Sequence, residues 1–337
     1  MFREALYAPR TFCVNWELVP GRGFSERQQD DLIKNAEKAA RSKKIHGIGL
    51  TDNPGGSPAL AAEFISVEIK KLGIDPLVHV ACRDKNRNEL ESLLFGLARN
   101  GVGNLLVLSG DYPTNAGFGT PKPVFDLDPI HLLSLVGRMN RGLECDFMGK
   151  SITLAPTDLF CGAAVSPFKK TEAELIGQYE KLMKKIGAGA GFVVTQVGYD
   201  ARKIHELLTF LSMKGADIPV IANIFVLTYP AARTMNAGNI PGCVVTGKLL
   251  AEVEAEREAP DKGKAARIER AARQYAVAKG MGCAGAHIGG HGIDCDTVIE
   301  IVERGEALSA DWRRYLPQFD YPQDDGYYLF ERRRRGV

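Results

Sequence analysis

The sequence lacks the marks of several large classes of protein. No stretch approaches the ~18 consecutive apolar residues of a membrane span. The start, Met-Phe-Arg-Glu-Ala-Leu-Tyr, carries an acid early and has no apolar centre, so it does not read as a secretory signal. The seven cysteines, at 13, 82, 145, 161, 243, 283 and 295, are scattered and include no Cys-x-x-Cys pair. That spacing argues against a disulfide framework and a structural zinc site, and the chain is expected to be cytoplasmic with reduced thiols. An excess of one charge is missing too: 43 Lys and Arg stand against 41 Asp and Glu, for a net charge of +2. No global field draws in a polyanion, and a nucleic-acid partner has no support. The one concentrated basic patch, Arg332 to Arg335, reads as a solvated tail.

What is present is a regular alternation. Short runs rich in Val, Ile and Leu occur at 11–20, 45–52, 77–83, 104–111, 158–165, 192–198, 219–226 and 283–290. They are nearly continuous rather than alternating, as strands buried on both faces are. Amphipathic stretches lie between them, with Ser25 and Thr171 as N-cap candidates and Gly215 as a helix end. Eight such pairs predict an α/β fold, a (β/α)8 TIM barrel in a single domain over residues 1–304, with a C-terminal extension over 305–337. "GCVVTG" (242–247) is read as the lead-in to a helix, and the charged segment 255–270 as an exposed helix.

In a barrel of this kind the chemistry gathers at the C-terminal ends of the strands. Those ends carry Glu17, Thr51 with Asp52, Arg83 with Asp84, Asp111, Gln196, and His287 with His291. Glu17 lies in an apolar strand. Burial there would raise its pKa and make it an acid near neutrality, unless it is paired with an Arg such as Arg22. Asp111, in "LSGDYP", is either a turn or cap residue or a site carboxylate. Gln196 is either a structural amide or a reader of a heterocycle that both donates and accepts. His287 and His291, with Asp294 and Cys295 behind them, look like metal ligands, but they sit in a Gly-rich loop rather than on a helix, and no metal is expected. "GAGAG" (187–191) ends a helix instead of opening one, so it is not a dinucleotide loop.

Several stretches together resemble the methylenetetrahydrofolate reductase family of flavin-dependent barrels. They are "WELVP", "HVACRDKNRNELESLLFGLARNGVGNLLVLSGDYP", "GAAVSP", "KKIGAGAGFVVTQVGYD" and "GAHIGG", spread over roughly residues 10–300. The resemblance implies FAD-dependent reduction of 5,10-methylenetetrahydrofolate to 5-methyltetrahydrofolate, or the reverse oxidation. It makes Glu17 the acid that protonates the folate bridge nitrogen. Asp111 becomes the carboxylate beside flavin and pterin, and Gln196 the amide on the pterin edge. It places Thr51, His79, Ser109, Gly110, Asp111, Ala164 and Lys185 along the cofactor. Departures accompany it: Ser109 stands where the family has Arg, "VSPF" where it has "YPE", the stretch around Asn236 where it has an aromatic, and His291 near a family Arg. These leave the electron donor open between NAD(P)H and a partner redox protein. A flavin-free methyltransferase barrel and a non-catalytic subunit of a reductase complex are the alternatives. The chain is expected to be a homo-oligomer.

Overall fold

Each of the eight apolar runs forms a parallel strand in the computed structural model, which describes residues 1–115, 117 and 119–331. The strands are β1 (Cys13–Leu18), β2 (Gly47–Leu50), β3 (Asp75–Ala81), β4 (Asn104–Leu108), then β7 (Phe160–Val165), β8 (Phe192–Thr195), β9 (Val220–Phe225) and β10 (Gly285–Gly289). They close into a barrel in the order β1-β10-β9-β8-β7-β4-β3-β2. Between β4 and β7 comes an antiparallel hairpin of β5 (Glu144–Phe147) and β6 (Lys150–Thr153). The fold is thus the expected (β/α)8 barrel, with that hairpin as an addition.

The helices are α1 (Phe2–Tyr7), α2 (Arg27–Ser42), α3 (Ala62–Lys71), α4 (Arg87–Arg99), α5 (Pro129–Met139) and α6 (Glu172–Gly187). They continue with α7 (Ala201–Met213), α8 (Tyr229–Asn236), α9 (Gly247–Glu256), α10 (Lys264–Met281) and α11 (Cys295–Leu308). None of those described is long and apolar enough to cross a membrane. Thr171 caps α6 through a reciprocal box with Glu174, and Gly215 follows the end of α7 at φ +67°. "GCVVTG" leads into α9, with Thr246 as its N-cap. Two expectations are corrected. The cap of α2 is Glu26, not Ser25, and no side chain bonds to the helix there. The charged segment 255–270 is not one helix: α9 stops at Glu256 and α10 starts at Lys264, after Gly263 turns the chain at φ +74°.

The inside of the barrel is filled in layers. Phe2 of α1 packs edge-on against Phe192 at 5.4 Å and joins Leu77, Leu106, Phe160 and Ile221 in an apolar plug. The Phe2 N–H donates to the Asp75 carboxylate at the start of β3, so α1 closes the N-terminal end. Above the plug the interior turns polar. Asn15, His287 and Asn223 are neighbours in register on β1, β10 and β9. Gly49 makes room for them, since a Cβ there would lie 2.8 Å from Asn15 Nδ2 and 2.9 Å from the His287 ring.

Residue 305 falls inside α11, and the chain leaves that helix only after Leu308. Two short 3-10 turns follow, Ser309–Arg314 and Leu316–Phe319. Phe319 and Tyr321 are buried with Val197, Tyr199 and Leu249. Further on, the backbone is held by a buried ion pair on α7. Lys203 Nζ donates to Glu206 at 3.1 Å and to the Tyr327 carbonyl, while the Glu206 carboxylate also accepts from the Leu329 N–H. The tail Arg332 to Arg335 lies outside the described residues. Lys203 and Glu206 are 3% and 4% exposed, so removing one partner strands a charge. Lys203→Met is expected to cost about 3–5 kcal/mol in urea unfolding, and Lys203→Met with Glu206→Gln to recover part of it.

Candidate active site

Glu17 stands near the end of β1, and its side chain is 23% exposed. Its Oε2 is 3.0 Å from Nε2 of His287, which β10 carries across the seam of the barrel. The other ring nitrogen, Nδ1, lies 2.6 Å from Asn15 Nδ2. Gly289 leaves the space the carboxylate occupies, 3.2 Å from where a Cβ would be. His79, on β3, has its ring 5.7 Å from that of His287. Burial pushes the Glu17 pKa up, but the hydrogen bond from His287 and the histidines around the carboxylate outweigh it, and the carboxyl is held below its ordinary range. This corrects the expectation of a raised pKa. The apolar strand is only part of the surroundings, and a histidine 270 residues away supplies the rest.

Asp111 follows β4 after Gly110, whose φ is +84°. It caps no helix; the N-cap of α5 is Asp128. Its Oδ2 accepts from the Gly55 N–H at 3.2 Å, tying the end of β4 to the 3-10 turn Pro54–Gly56 after β2. Arg83 Nη1 donates to the Asp111 carbonyl at 2.7 Å. That guanidinium is 1% exposed, pairs with Asp84, and donates to the Asn53 carbonyl. Its hydrogen bond holds the Asp84 carboxyl below the ordinary range. A side chain at Gly110 would put a Cβ 2.9 Å from Arg83 Cβ, so the turn and the arginine are packed together. A positive charge therefore stands beside this turn although Ser109, which is exposed, carries none. A cleft of about 360 Å³, lined in part by Asn53, Pro58, Arg83, Asp84 and Pro113, opens on this side.

Thr51 and His79 are each 6% exposed, and Thr51 Oγ1 and His79 Nε2 are buried with no hydrogen-bond partner among the described residues. Buried polar atoms normally have partners, and Asn15 Oδ1, Trp16 Nε1 and Asn223 Oδ1 of the barrel strands lack one as well. Gln196 is half-buried; its Oε1 accepts from the Val197 N–H at 2.9 Å, and its amide packs beside Gly242. Cys243 follows on the same loop, and its thiol is pushed up to about 12 by burial, with Asp111 and Glu17 adding to the effect.

Ala164 is half-buried at the end of β7, and its carbonyl accepts from Lys185 Nζ at 2.7 Å. Burial lowers the Lys185 pKa to about 8. That bond ties α6 to the end of β7. His291 is exposed and lies 5.8 Å from the Phe225 ring, Asp294 caps α11 through the Thr297 N–H, and Cys295 is buried, so these groups do not converge with His287.

Neither Asn15 nor the pairing of Arg83 with the Asp111 turn stood out in the sequence. One signal existed: Asn15 is two residues before Glu17 and so on the same face of its strand.

Burial lowers the His79 pKa from 6.5 to about 4. A folded pKa below the unfolded one stabilises the fold above pH 6.5, and that contribution is lost as pH falls toward about 4. Urea unfolding of flavin-free chain is expected to lose on the order of 2–4 kcal/mol across this window from His79 alone. His79→Gln should flatten that part of the profile, and an unchanged slope would contradict the assignment.

The chain matches the methylenetetrahydrofolate reductase family over residues 4–288. It is 25% identical over 187 residues to "Methylenetetrahydrofolate reductase 2" of Saccharomyces cerevisiae, covering 55% of this chain and 29% of that one. It is 25% identical over 213 residues to 5,10-methylenetetrahydrofolate reductase of Salmonella typhimurium, covering 63% of each. The chain thus spans less than two-thirds of either relative. Among solved structures, an uncharacterized Clostridium thermocellum protein that binds two copies of 5-methyl-5,6,7,8-tetrahydrofolic acid superposes with a TM-score of 0.61 at 11% identity, over 92% of this chain and 100% of that one. EDTA monooxygenase from Chelativorans superposes at 0.50 and 11% identity, over 94% and 96%. At such identities the two structures speak for the fold alone. The family match runs from before β1 to within β10, the two strands that carry Glu17 and His287, and on that match the chain belongs to the methylenetetrahydrofolate reductase family.

Proposed function

We propose that the barrel mouth carries flavin-dependent chemistry on a reduced folate, interconverting 5,10-methylenetetrahydrofolate and 5-methyltetrahydrofolate. The observation that carries this reading is the partly exposed Glu17 carboxylate with a ring nitrogen of His79 within 4.8 Å, and with Thr51 Oγ1 and His79 Nε2 unpaired among the described residues. Those atoms suit the polar edge of FAD, and the Gly110–Asp111 turn gives it backbone to approach. When bound, the flavin supplies or accepts the hydride.

The chain's own residues do the rest. Glu17 gives a proton to the bridge nitrogen, which opens the five-membered ring and leaves an iminium carbon. In the resting site Glu17 is ionised; a folate laid over it removes its remaining exposure, and desolvation then favours the neutral acid. In the oxidative direction the ionised form is the one required, because the carboxylate takes the proton back as the ring closes. Asp111 sets a negative charge against the iminium cation. The Gln196 Nε2 is left to donate to the pterin edge, since Oε1 is held by the Val197 N–H. The Clostridium protein of this fold binds a methylated reduced folate, which supports that ligand class here. The electron donor is NAD(P)H or a partner redox protein.

The test is an absorption spectrum. The purified chain should take up FAD, and the reduced form should reoxidise when mixed anaerobically with methylenetetrahydrofolate. A chain that takes up no flavin would overturn the reading and favour a methyltransferase barrel. Glu17→Gln should slow the folate half-reaction by at least ~10²-fold and leave flavin uptake intact. Asp111→Asn should make the flavin easier to reduce while slowing the same half-reaction, as read by redox titration and stopped flow.

A further inference from the structure

We propose that Asn15 and His287 form a proton relay with Glu17, in which His287 stores the proton that Glu17 passes to the folate and Asn15 fixes the imidazole through its second nitrogen. The inference rests on the folate reading of the site and assigns roles to residues that touch the substrate only through Glu17.

His287 is 1% exposed, yet both ring nitrogens are engaged: Nε2 with Glu17 Oε2 at 3.0 Å, Nδ1 with the Asn15 amide at 2.6 Å. With Asn15 Nδ2 turned to the ring, Oδ1 is buried with no partner. A half-turn of the amide exchanges oxygen and nitrogen without changing its shape. It puts an acceptor 2.6 Å from Nδ1, a contact shorter than either kind of bond normally makes but nearer to the N–H···O range than to that of N–H···N. The half-turn moves the unpartnered atom from oxygen to nitrogen, so the choice rests on the short Nδ1 contact. Both ring N–H groups then meet acceptors, the bonding pattern of an imidazolium.

The other titratable groups around the pair come from five segments of the chain. His79 on β3 is held neutral by burial and adds no competing cation, while Asp52 after β2 acts on His79. His291, in the loop after β10, acts on Glu17. Asp111 after β4 and Glu17 both bear on Cys243, in the loop before α9.

The transfers balance. Nε2–H of His287 gives its proton to Glu17 Oε2, and the Glu17 proton goes to the bridge nitrogen. That nitrogen keeps the electron pair of the breaking C–N bond, leaving the carbon as an iminium. A proton from the solvent, taken up through the partly exposed Glu17 once the folate has left, restores His287, and the reverse direction retraces each transfer.

The measurement is stopped-flow reoxidation of the reduced, flavin-loaded chain by methylenetetrahydrofolate, between about pH 5.5 and about pH 9. Wild type should slow as the pH is raised, since each turnover draws one proton through the relay. His287→Gln should be at least ~10-fold slower and lose that limb. Asn15→Leu should also slow, and Asn15→Asp, which can only accept, should recover most of the rate. Flavin uptake and dithionite reduction, unchanged in each variant, report an intact site. A wild-type rate and profile in His287→Gln would overturn the relay, as would an Asn15→Asp rate as low as that of Asn15→Leu. If His287→Gln fails to load flavin, the two Asn15 variants decide between these outcomes. If reduced wild type is not reoxidised at any pH, the folate reading itself fails and the relay falls with it.

Discussion

Where the first strand meets the last, Cys13 pairs with Gly285 and Trp16 with Ile288, and this register sets Asn15, Glu17 and His287 on the same inner face of the barrel. Closing the barrel and assembling the site are therefore one event. A slip of one residue would turn Asn15 and Glu17 outward and bring Trp16 in. The apolar bodies of the strands resist such a slip, because Val14, Trp16, Ala286 and Ile288 are all buried in the large core between barrel and helices. Glycine at position 49 is part of the same constraint, since the layer has space for an amide and an imidazole only where β2 gives up its side chain.

The polar layer is costly to bury, and the chain offsets that cost unevenly. The Glu17–His287–Asn15 chain is largely satisfied from within, as is the Arg83–Asp84 pair that backs the Asp111 turn. Thr51 Oγ1, His79 Nε2 and Asn223 Oδ1 are not satisfied among the described residues. Asn15 Oδ1 is unpaired as well, so the polar layer carries unpaired atoms on β1, β3 and β9 and after β2. Arg83 also changes the meaning of Ser109. Ser109 brings no charge to the end of β4, while Arg83, two residues past β3 and paired with Asp84, bonds the Asp111 carbonyl.

The chain after α11 has a different task. Its aromatic residues cover the β8–α7 side, with Tyr321 on the Val197–Leu249 cluster and Tyr328 bonded to Asp200, which is the N-cap of α7. Lys203 and Glu206 hold its backbone from the same helix. The extension thereby packs against the helix that follows the Gln196 loop.

The sequence by itself determined the barrel. Eight near-continuous apolar runs separated by amphipathic segments can be buried on both faces only in an α/β arrangement, and all eight became its strands. Thr171 and Gly215 were legible as helix ends, while Ser25 lies one residue before the actual cap of α2. Helix α1 and the β5–β6 hairpin were not. The first is a six-residue plug whose partners lie across the barrel, and the second is exposed along nearly its whole length, leaving no periodicity to read. Glu17, Asp111 and Gln196 could be picked out as polar groups at strand ends, but their states could not. Only the closed barrel brings His287 to Glu17 and Gly55 to Asp111, and a carboxylate's protonation follows the donors around it in space rather than its neighbours in the chain.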